Sequence, residues 1–404
     1  MNYIRSYFIS FIVLISSIGT VNWFIDPFGM YWSPVMTGVN EIKPEAGTRS
    51  RISKAYQVDK VAPQILIVGN SRVEMGLDPN SKIFAGKRVY NQGMPGAHLI
   101  MQVDYAIDAI ENNHSIEHVI MGVDFLDFLV NSQQLNSEHQ QQNETIRARY
   151  QFRLSTLDAS ASEYSYQGLK EKLAMIFSLD ALTASIQTLS KQNATTSSIS
   201  ALGFNSADSY KTIMQTEGIK PLFNQKLNEI SARLNSDLVI KTQKDSPYSP
   251  KFSHLGRLIS TASQHNIKLT LFINPYHYSY LHTLADKGQW QNFMLWKQLV
   301  QQYIASQNSS IALWDFSGFN EVINEAVPLD KPKSYMQWFW EPAHYKRELG
   351  ERMLATLLLD KNDIKFGQRL TETSLAEATN QEARALNNTS SQWQKLKNQL
   401  SLAQ

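Results

Sequence analysis

The sequence Gln64-Ile65-Leu66-Ile67-Val68-Gly69-Asn70-Ser71-Arg72 decides how this chain folds. Its apolar, β-branched run Ile65–Val68 predicts a strand buried on both faces, as in a parallel sheet covered by helices. Gly69 permits a tight turn directly after that strand, and Ser71 then stands at the strand's carboxyl end. Ligands of open α/β sheets bind at this end of the strands. Ser71 is therefore the first candidate for a functional residue.

Four further short apolar runs predict strands, over residues 87–91, 117–124, 268–274 and 311–315. Helical periodicity alternates with them, over residues 97–112, 252–265, 290–306 and 346–359. Strands that alternate with helices indicate βαβ units and a parallel sheet. The sequence thus predicts an α/β fold with a doubly wound, mostly parallel five-stranded sheet.

Composition limits the classes of function. The chain has 404 residues, of which 43% are hydrophobic, so it can bury a sizeable core. The formal net charge is +2 and no basic stripe is present, so we expect no nucleic-acid partner. The chain has no cysteine, which excludes disulfides, thiolate metal ligands and a cysteine nucleophile. No residue spacing indicates a metal site or a phosphate loop, and we expect no cofactor.

The N-terminus predicts a membrane anchor. Residues 7–25 carry no charge and approach the roughly 20 residues that a helix needs to span a bilayer. A cleavable signal peptide is the alternative, but its cleavage site would have to be Ser17-Ile18-Gly19, a poor small-x-small site. We therefore favour an uncleaved anchor. Arg5 on the short side places the N-terminus in the cytoplasm. The rest of the chain would lie in the periplasm or another extracytoplasmic space, tethered to a bacterial inner membrane.

Composition shifts divide the chain into segments. They are an anchor (1–26), a linker that packs on the domain edge (27–61), an α/β domain in two parts (62–128 and 250–360), a mainly helical insertion (129–249) and a polar tail, helical or disordered (361–404). We expect the insertion to lie over the carboxyl edge of the sheet and shape access to it. A purely structural embellishment is the alternative.

Polar residues cluster after the predicted strands and before the last helix. Asn91 and Gly93 follow the second strand, and Asp124 ends the third. Glu341-Pro342-Ala343-His344 precedes the helix at 346–359. Because carboxyl ends of parallel strands meet at one edge of the sheet, we expect these residues near Ser71.

Acyl chemistry at a serine requires a base, a group that orients the base, and donors for the developing oxyanion. His344 is the candidate base for Ser71. Glu341 stands three residues before it and can orient the imidazole, while Asp315 at the end of the fifth strand is the reserve carboxylate. A histidine with a merely local glutamate partner is the alternative interpretation.

Over about residues 62–359, these motifs resemble the SGNH/GDSL hydrolase superfamily. Gly69-Asn70-Ser71-Arg72 resembles its first block, and Gly93, in an Asn91-x-Gly93 setting, resembles the glycine of its second block. The last block is an Asp-x-x-His, here with Glu341 before His344. The resemblance implies a flavodoxin-like three-layer sandwich. It also implies that Ser71 attacks, that His344 transfers the proton, and that the backbone N–H groups of Ser71 and Gly93 bind the oxyanion.

The third block departs from the family pattern. The superfamily has an asparagine there, whose amide donates to the oxyanion, whereas this chain has Asp124 after Gly122. An ionised carboxylate accepts hydrogen bonds and repels negative charge, so Asp124 cannot fill that role unless it is protonated. The side chain of Arg72 is one candidate replacement.

An N-terminal anchor with an exported domain is similar to one branch of that superfamily, the periplasmic alginate acetylation proteins and the D-alanine transfer protein of teichoic acids. This likeness implies an esterase or O-acyltransferase that acts on a cell-surface glycan, with a polytopic membrane acyltransferase as a partner. A catalytically inactive scaffold or glycan-binding protein on the same fold is the alternative. The missing asparagine favours that alternative, whereas the retained serine and histidine oppose it.

Overall fold

The computed structural model describes residues 2–131, 161–196, 198–234, 237–240, 248–331, 333–359 and 366–402. The strands within these ranges are β1 (Ile65–Val68), β2 (Val89–Asn91), β3 (His118–Val123), β4 (Val130–Asn131), β5 (Leu238–Val239), β6 (Lys268–Ile273), β7 (Ala312–Asp315), β8 (Phe339–Glu341), β9 (His344–Tyr345) and β10 (Gln368–Arg369).

Fourteen α-helices lie in the same described ranges. In chain order they are α1 (Asn2–Ile25), α2 (Ser50–Val61), α3 (Ser71–Gly76), α4 (Leu99–Asn112), α5 (Ala161–Phe177), α6 (Leu179–Ser190), α7 (Asp208–Thr216), α8 (Ile219–Arg233), α9 (Phe252–Gln264), α10 (Tyr278–Asp286), α11 (Trp290–Gln307), α12 (Arg347–Leu359), α13 (Glu372–Asn388) and α14 (Ser390–Leu400).

The main sheet has six strands in the order β10-β7-β6-β3-β1-β2. Five of them are parallel and correspond to the five predicted strands, so the expected mostly parallel α/β sheet is confirmed. The predicted strand number was too low, because β10 adds an antiparallel edge strand beside β7. That strand consists of two exposed polar residues, Gln368 and Arg369, and therefore lacks the apolar run by which a buried strand is recognised.

The strand order places the site. Every residue of β1 and β3 is buried, which requires cover on both faces of the sheet. Numbered by their position in the chain, the five parallel strands lie across the sheet in the order second, first, third, fourth, fifth, as in flavodoxin-like doubly wound sheets. The order reverses between β1 and β3. The crevice outside their carboxyl ends is the place where such sheets bind ligands.

The N-terminal helix has the predicted character. Among the described residues, Tyr3–Ile25 of α1 forms one straight helix long and apolar enough to cross a membrane, with a mean hydropathy of 2.0. Only 17% of its most apolar window is buried by the rest of the chain. A helix of this length reaches across the hydrocarbon core of a bilayer.

The described helices of the insertion at 129–249 form two pairs that contact different regions of the molecule. Residues 132–160, 197, 235–236 and 241–247 of this segment lie outside the described residues, and the remainder is mainly helical, as expected. Helices α5 and α6 pack on α1. Helices α7 and α8 instead approach the carboxyl edge of the sheet, where α8 contacts α10 and β8. The expected cover over the sheet edge is therefore supplied by α7 and α8.

The described part of the tail is helical and firmly packed. Trp393, Leu396 and Leu400 of α14 share one face and are buried in the main core. The indole of Trp393 stacks on the His282 ring, with centroids 5.8 Å apart, and its Nε1 donates to Asp286 at 2.9 Å. The sequence predicts a polar tail, helical or disordered, over residues 361–404. In the structure, α13 and α14 occupy residues 372–388 and 390–400 of it.

A buried lysine connects four segments around β1. Lys54 of α2 is 1% exposed, and its Nζ donates to Glu74 Oε1 of α3 at 2.9 Å. The same ammonium donates to the carbonyl oxygens of Gly93, after β2, and Gly203, in the insertion, the latter at 2.7 Å. Burial lowers the pKa of Lys54, although the Glu74 carboxylate opposes this shift. The ammonium thus holds together the elements on which the start of α3 depends.

Replacing Lys54 by methionine should destabilise the protein. The Lys54→Met variant leaves the Glu74 carboxylate buried without its cation, and breaking such a pair costs about 3–5 kcal/mol of unfolding free energy. Urea unfolding of the full chain in detergent micelles measures this loss. Lys54→Met/Glu74→Gln should regain much of it, because no unpaired charge is then buried. Lys60→Met, on the exposed side of α2, is the matched control; an equal effect of the two single substitutions would contradict this account.

The stability should also fall as the pH falls below neutral, partly because of His118. Burial lowers the pKa of His118 from 6.5 to about 4, and Lys268 and Lys87 add to the shift. Between these values the unfolded chain binds the proton and the folded chain does not, so stability is lost on acidification, by up to about 2 kcal/mol at pH 5. Urea unfolding at pH 7.5 and pH 5 should show a smaller difference for His118→Gln. Parallel pH profiles for the two proteins would refute this contribution.

Candidate active site

The residues of the candidate site come from two neighbouring local structures. Ser71 begins α3 immediately after β1 and the Gly69-Asn70 turn. Glu341 and His344 are directly paired across the antiparallel hairpin β8–β9, with Pro342 and Ala343 between them. A cross-strand pair presents both side chains on the same face, which explains why the Glu-x-x-His spacing works here. With three and two residues, these strands are too short to be recognised from sequence periodicity.

Ser71, His344 and Glu341 form a continuous hydrogen-bonded chain. Ser71 Oγ lies 2.7 Å from His344 Nε2. On the other side of the ring, His344 Nδ1 contacts Glu341 Oε1. A proton on Nδ1 donates to the carboxylate and leaves the Nε2 lone pair free to accept from the serine hydroxyl. The other oxygen, Glu341 Oε2, accepts from the Ala343 N–H at 2.7 Å, which fixes the carboxylate.

The carboxylate of Glu341 is buried and yet held in its ionised form. Burial by itself raises its pKa, but the charge and hydrogen bond of His344, together with Lys226 and the Ala343 N–H, bring the pKa below its ordinary value of 4.5. Next to it, burial and the Glu341 charge raise the pKa of Tyr210, so that phenol stays protonated. An ionised carboxylate behind the ring stabilises an imidazolium at His344.

A cavity of about 360 Å³ opens beside Ser71 and His344. It lies at the carboxyl ends of β1 and β3, where the strand order reverses. Besides these two residues, its walls include side chains from the sheet edge, the loop after β2 and α7–α8: Asn70, Arg72, Glu74, Met75, His98, Asp124, Leu126, Asp127, Asn205, Tyr210, Lys226, Glu229, Ile230, Arg233 and Tyr280. Its volume lies within the range of cavities that bind small molecules in proteins.

Asp124 is held by four donors at the base of this cavity. Arg72 NH1 lies 2.8 Å from its Oδ1, and the Tyr276 hydroxyl donates to the same oxygen at 2.5 Å. The amides of Asn274, at 3.2 Å, and Asn70 donate to Oδ2. The guanidinium and the three neutral donors thus occupy both oxygens of the carboxylate. Asp124 therefore accepts hydrogen bonds here and supplies none.

The partner of Asp124 reaches the hairpin that carries the histidine. Arg72 Nε donates to the Ala343 carbonyl at 2.8 Å, while the guanidinium lies over the ring of Tyr276, 5.0 Å from its centroid. Since Arg72 follows Ser71 directly and Ala343 precedes His344, this contact sets the spacing between hydroxyl and imidazole. The structure brings Ser71, Arg72 and His344 together, as the sequence predicted.

Asn91 and Gly93 lie behind the cavity wall and do not line it. Asn91 is fully buried; its amide donates to the carbonyls of Val73 and Leu77 at 2.9 and 2.8 Å, and its Oδ1 accepts from the Gly93 N–H at 2.8 Å. A Cβ at Gly93 would stand 2.7 Å from the Glu74 backbone nitrogen, so only glycine fits there. The Gly93 N–H is occupied, and its service as an oxyanion donor stays a prediction.

Several residues of the cavity had no signal in the sequence. Tyr210 and Lys226 come from the insertion, and His98 from the start of α4; each becomes part of the site only through tertiary packing. The reserve carboxylate, Asp315, is engaged elsewhere, 2.8 Å from the Lys297 ammonium. It therefore leaves the orientation of His344 to Glu341.

A second cavity, of about 490 Å³, lies on the other side of the hairpin, and Met75 borders both cavities. Its walls combine aromatic and basic side chains. The Lys346 ammonium lies 4.5 Å from the ring centroid of Trp340 and 5.3 Å from that of Tyr335, and Lys211 and Arg347 also face this space. Such a surface can accommodate a ring-shaped ligand that carries negative charge.

No protein-family model matches the chain, and no curated protein matches its sequence. Within the described ranges, no group of three or more His, Cys, Asp or Glu side chains is placed to hold a metal ion. The chemistry open to the site is therefore judged from the contacts of its side chains.

Changing Asp124 to asparagine should weaken the protein rather than complete the site. Asp124→Asn introduces the amide of the superfamily's third block, but it leaves the Arg72 guanidinium without its anion, at a cost of about 3 kcal/mol. Urea unfolding of the full chain should show this loss. Asp104→Asn is the matched control, because Asp104 is also buried and ion-paired, with Arg257, but lies outside the cavity. An Asp124→Asn protein of unchanged stability would contradict the positioning role of this pair.

Proposed function

We propose that this chain is a membrane-tethered, extracytoplasmic serine esterase or O-acyltransferase of the SGNH/GDSL type, acting on acyl groups of a cell-surface polysaccharide or related glycan. The observation that carries the proposal is the chain of contacts from the Ser71 hydroxyl through His344 to the buried Glu341 carboxylate, at the wall of an open cavity. A serine, a base and an orienting carboxylate in this geometry perform nucleophilic acyl chemistry on unrelated folds.

In the proposed reaction, Ser71 Oγ attacks the carbonyl carbon of an acyl ester while His344 Nε2 takes the hydroxyl proton. Glu341 stabilises the resulting imidazolium and keeps the ring oriented. His344 then returns the proton to the leaving alcohol, which breaks the original ester and leaves an acyl-Ser71 ester. Water or a sugar hydroxyl attacks this second ester, with His344 again as the base. The first outcome is hydrolysis and the second is acyl transfer.

The developing oxyanion needs donors at the cavity. The backbone N–H of Ser71 and the guanidinium of Arg72 are the groups we propose, because both residues line the cavity beside the hydroxyl. A fixed guanidinium is an effective partner for developing negative charge, since it needs no reorganisation during the reaction. Its orientation is fixed by Asp124 and the Ala343 carbonyl.

The second cavity supports a glycan as the acceptor or substrate. Tyr335, which is 45% exposed, offers a flat apolar face for a sugar ring, and Lys346 and Arg347 offer positive charge beside it. Met75 lines both cavities, so a glycan chain bound in the second cavity would lie close to the first. An exported transferase needs an activated acyl donor, and a polytopic membrane acyltransferase next to the anchor is the partner we propose for its supply.

A non-catalytic scaffold or glycan-binding protein is the second candidate function. Two observations favour it: the Gly93 N–H is occupied by Asn91, and a carboxylate stands at position 124 in place of an amide. Both would weaken an oxyanion hole of the superfamily's type.

Labelling with a fluorophosphonate distinguishes the two candidates. The full chain in detergent should form an adduct at Ser71, located by peptide mass mapping. Ser71→Ala should abolish the adduct, and His344→Ala and Glu341→Gln should slow its formation by roughly 10²–10⁴-fold, because the serine loses its base or the base its orientation.

Ser390→Ala, which changes an exposed serine at the start of another helix, is the control and should label as the parent does. If the folded parent protein forms no adduct, catalysis at Ser71 is refuted and the scaffold candidate takes its place. Acetylated and unacetylated oligosaccharides would then be titrated against the second cavity, with Tyr335→Ala as the variant expected to lose binding.

A further inference from the structure

The carboxyl half of α1 is packed against the helices of the insertion. Asn22 Nδ2 donates to the Ile176 carbonyl at 2.8 Å, and Ser185 Oγ donates to Asn22 Oδ1 at 2.9 Å. One turn earlier, Gly19 is in close contact with the ring of Phe177, and a Cβ there would collide with it. From Ile15 onward, one face of α1 is thus covered by α5 and α6.

This packing conflicts with a simple tether. Residues 3–14 are the part of α1 that is exposed all round, and at 1.5 Å per residue they reach only about 18 Å. The hydrocarbon core of a bilayer is about 30 Å thick. If α1 crosses the membrane, its carboxyl half must also lie in the hydrocarbon, and the helices packed on that half go with it.

The exposed faces of α5 and α6 carry large apolar side chains, beside polar groups such as Thr183 and the ion pair of Asp180 with Arg49. Spacings of three, four and seven residues place large apolar side chains in one stripe on each helix, with 45–77% of each residue exposed: Tyr166, Leu169 and Leu173 on α5, and Leu179, Ile186 and Leu189 on α6. A soluble surface rarely exposes such a contiguous apolar patch. Within the described residues nothing covers these stripes.

The bend between α5 and α6 favours a position in the membrane interface over a second membrane span. The axes of α5 and α6 differ by 51° at Ser178. Their inner faces are committed to the domain, where Met175, Ala181 and Ala184 pack with Phe28 and Met30. A helix pair with one face on a folded domain and one apolar face outward is suited to lie in the plane of the membrane interface.

We propose that α5 and α6 form a second membrane-binding element that lies in the interface of the outer leaflet beside α1, with the two apolar stripes in contact with acyl chains. The proposal depends on the extracytoplasmic, membrane-anchored location in the proposed function, but not on its chemistry. The exposed Lys170 can extend its ammonium group toward lipid headgroups. The domain is then held on the bilayer in one orientation, rather than swinging on a flexible linker.

Lipid is favoured over a protein as the occupant because the stripes continue the exposed apolar surface of α1. Tyr7, Phe8, Phe11 and Leu14 of that helix are 49–63% exposed, as a lipid-facing surface would be. A helix of a partner membrane protein is the competing occupant, and the experiment below excludes it by using only lipid.

The absence of cysteine allows a direct test. Single cysteines at Leu173→Cys and Leu179→Cys in the full chain are labelled with a bimane fluorophore and reconstituted in phosphatidylcholine vesicles with brominated acyl chains, which quench on contact. Phe11→Cys in α1 is the positive control. Leu359→Cys is the matched negative control, because Leu359 on α12 is 46% exposed, like Leu173.

We expect loss of fluorescence at positions 173, 179 and 11, and none at 359. Quenching at 11 without quenching at 173 and 179 would overturn the proposal and point to a protein partner on the stripes. Absence of quenching at 11 as well would refute the membrane anchor itself, and the proposal with it. Neither result affects the Ser71 labelling, which is measured in detergent, so a failure here is distinct from a failure of the proposed chemistry.

Discussion

The buried ammonium of Lys54 is the interaction on which the site depends. It joins α2 to the Glu74 carboxylate of α3 and to the Gly93 and Gly203 carbonyls, so one side chain fixes the helix that begins with Ser71, the turn after β2 and a loop of the insertion. Removing an ammonium from water is costly and is compensated only if every proton finds an acceptor. That requirement leaves these segments one relative arrangement, which explains how the short helix α3 and two loops hold a defined position.

A second charged contact carries this order across to the base. The Asp124 carboxylate at the end of β3 holds Arg72, and Arg72 in turn donates to the Ala343 carbonyl, next to His344. The hydroxyl and the imidazole come from segments more than 270 residues apart, yet they meet at 2.7 Å. Asp124 thereby has a structural role at the position where the resembled superfamily has an oxyanion donor. The consequence for the proposed chemistry is that Arg72, rather than an amide, faces the developing charge.

The insertion contacts two different parts of the molecule, the cavity and the N-terminal helix. Its later helices, α7 and α8, supply Tyr210 and Lys226 to the cavity, next to Glu341. Its earlier helices, α5 and α6, pack on the carboxyl half of α1 and present apolar stripes away from the domain. The same stretch of chain therefore connects the proposed membrane surface with the wall of the site. In the proposed arrangement, a glycan or acyl donor at the membrane would meet the cavity in a fixed orientation.

Local sequence patterns were sufficient to predict the five parallel strands, the apolar N-terminal helix, and Ser71, His344 and Glu341 as candidate site residues. Strand and helix periodicity are local properties of a sequence. Ser71 follows a predicted strand and turn, and Glu341 and His344 precede a predicted helix, so their positions are also recognisable locally. Tertiary structure decided the rest. The exposed pair Gln368-Arg369 becomes β10 only because β7 offers an edge. The Gly93 N–H donates to Asn91 Oδ1. Which acceptor a backbone N–H finds depends on its neighbours in the folded protein, which a local sequence pattern does not show. Likewise, the sequence does not show which apolar residues of α5 and α6 face outward, because the packing on α1 decides this.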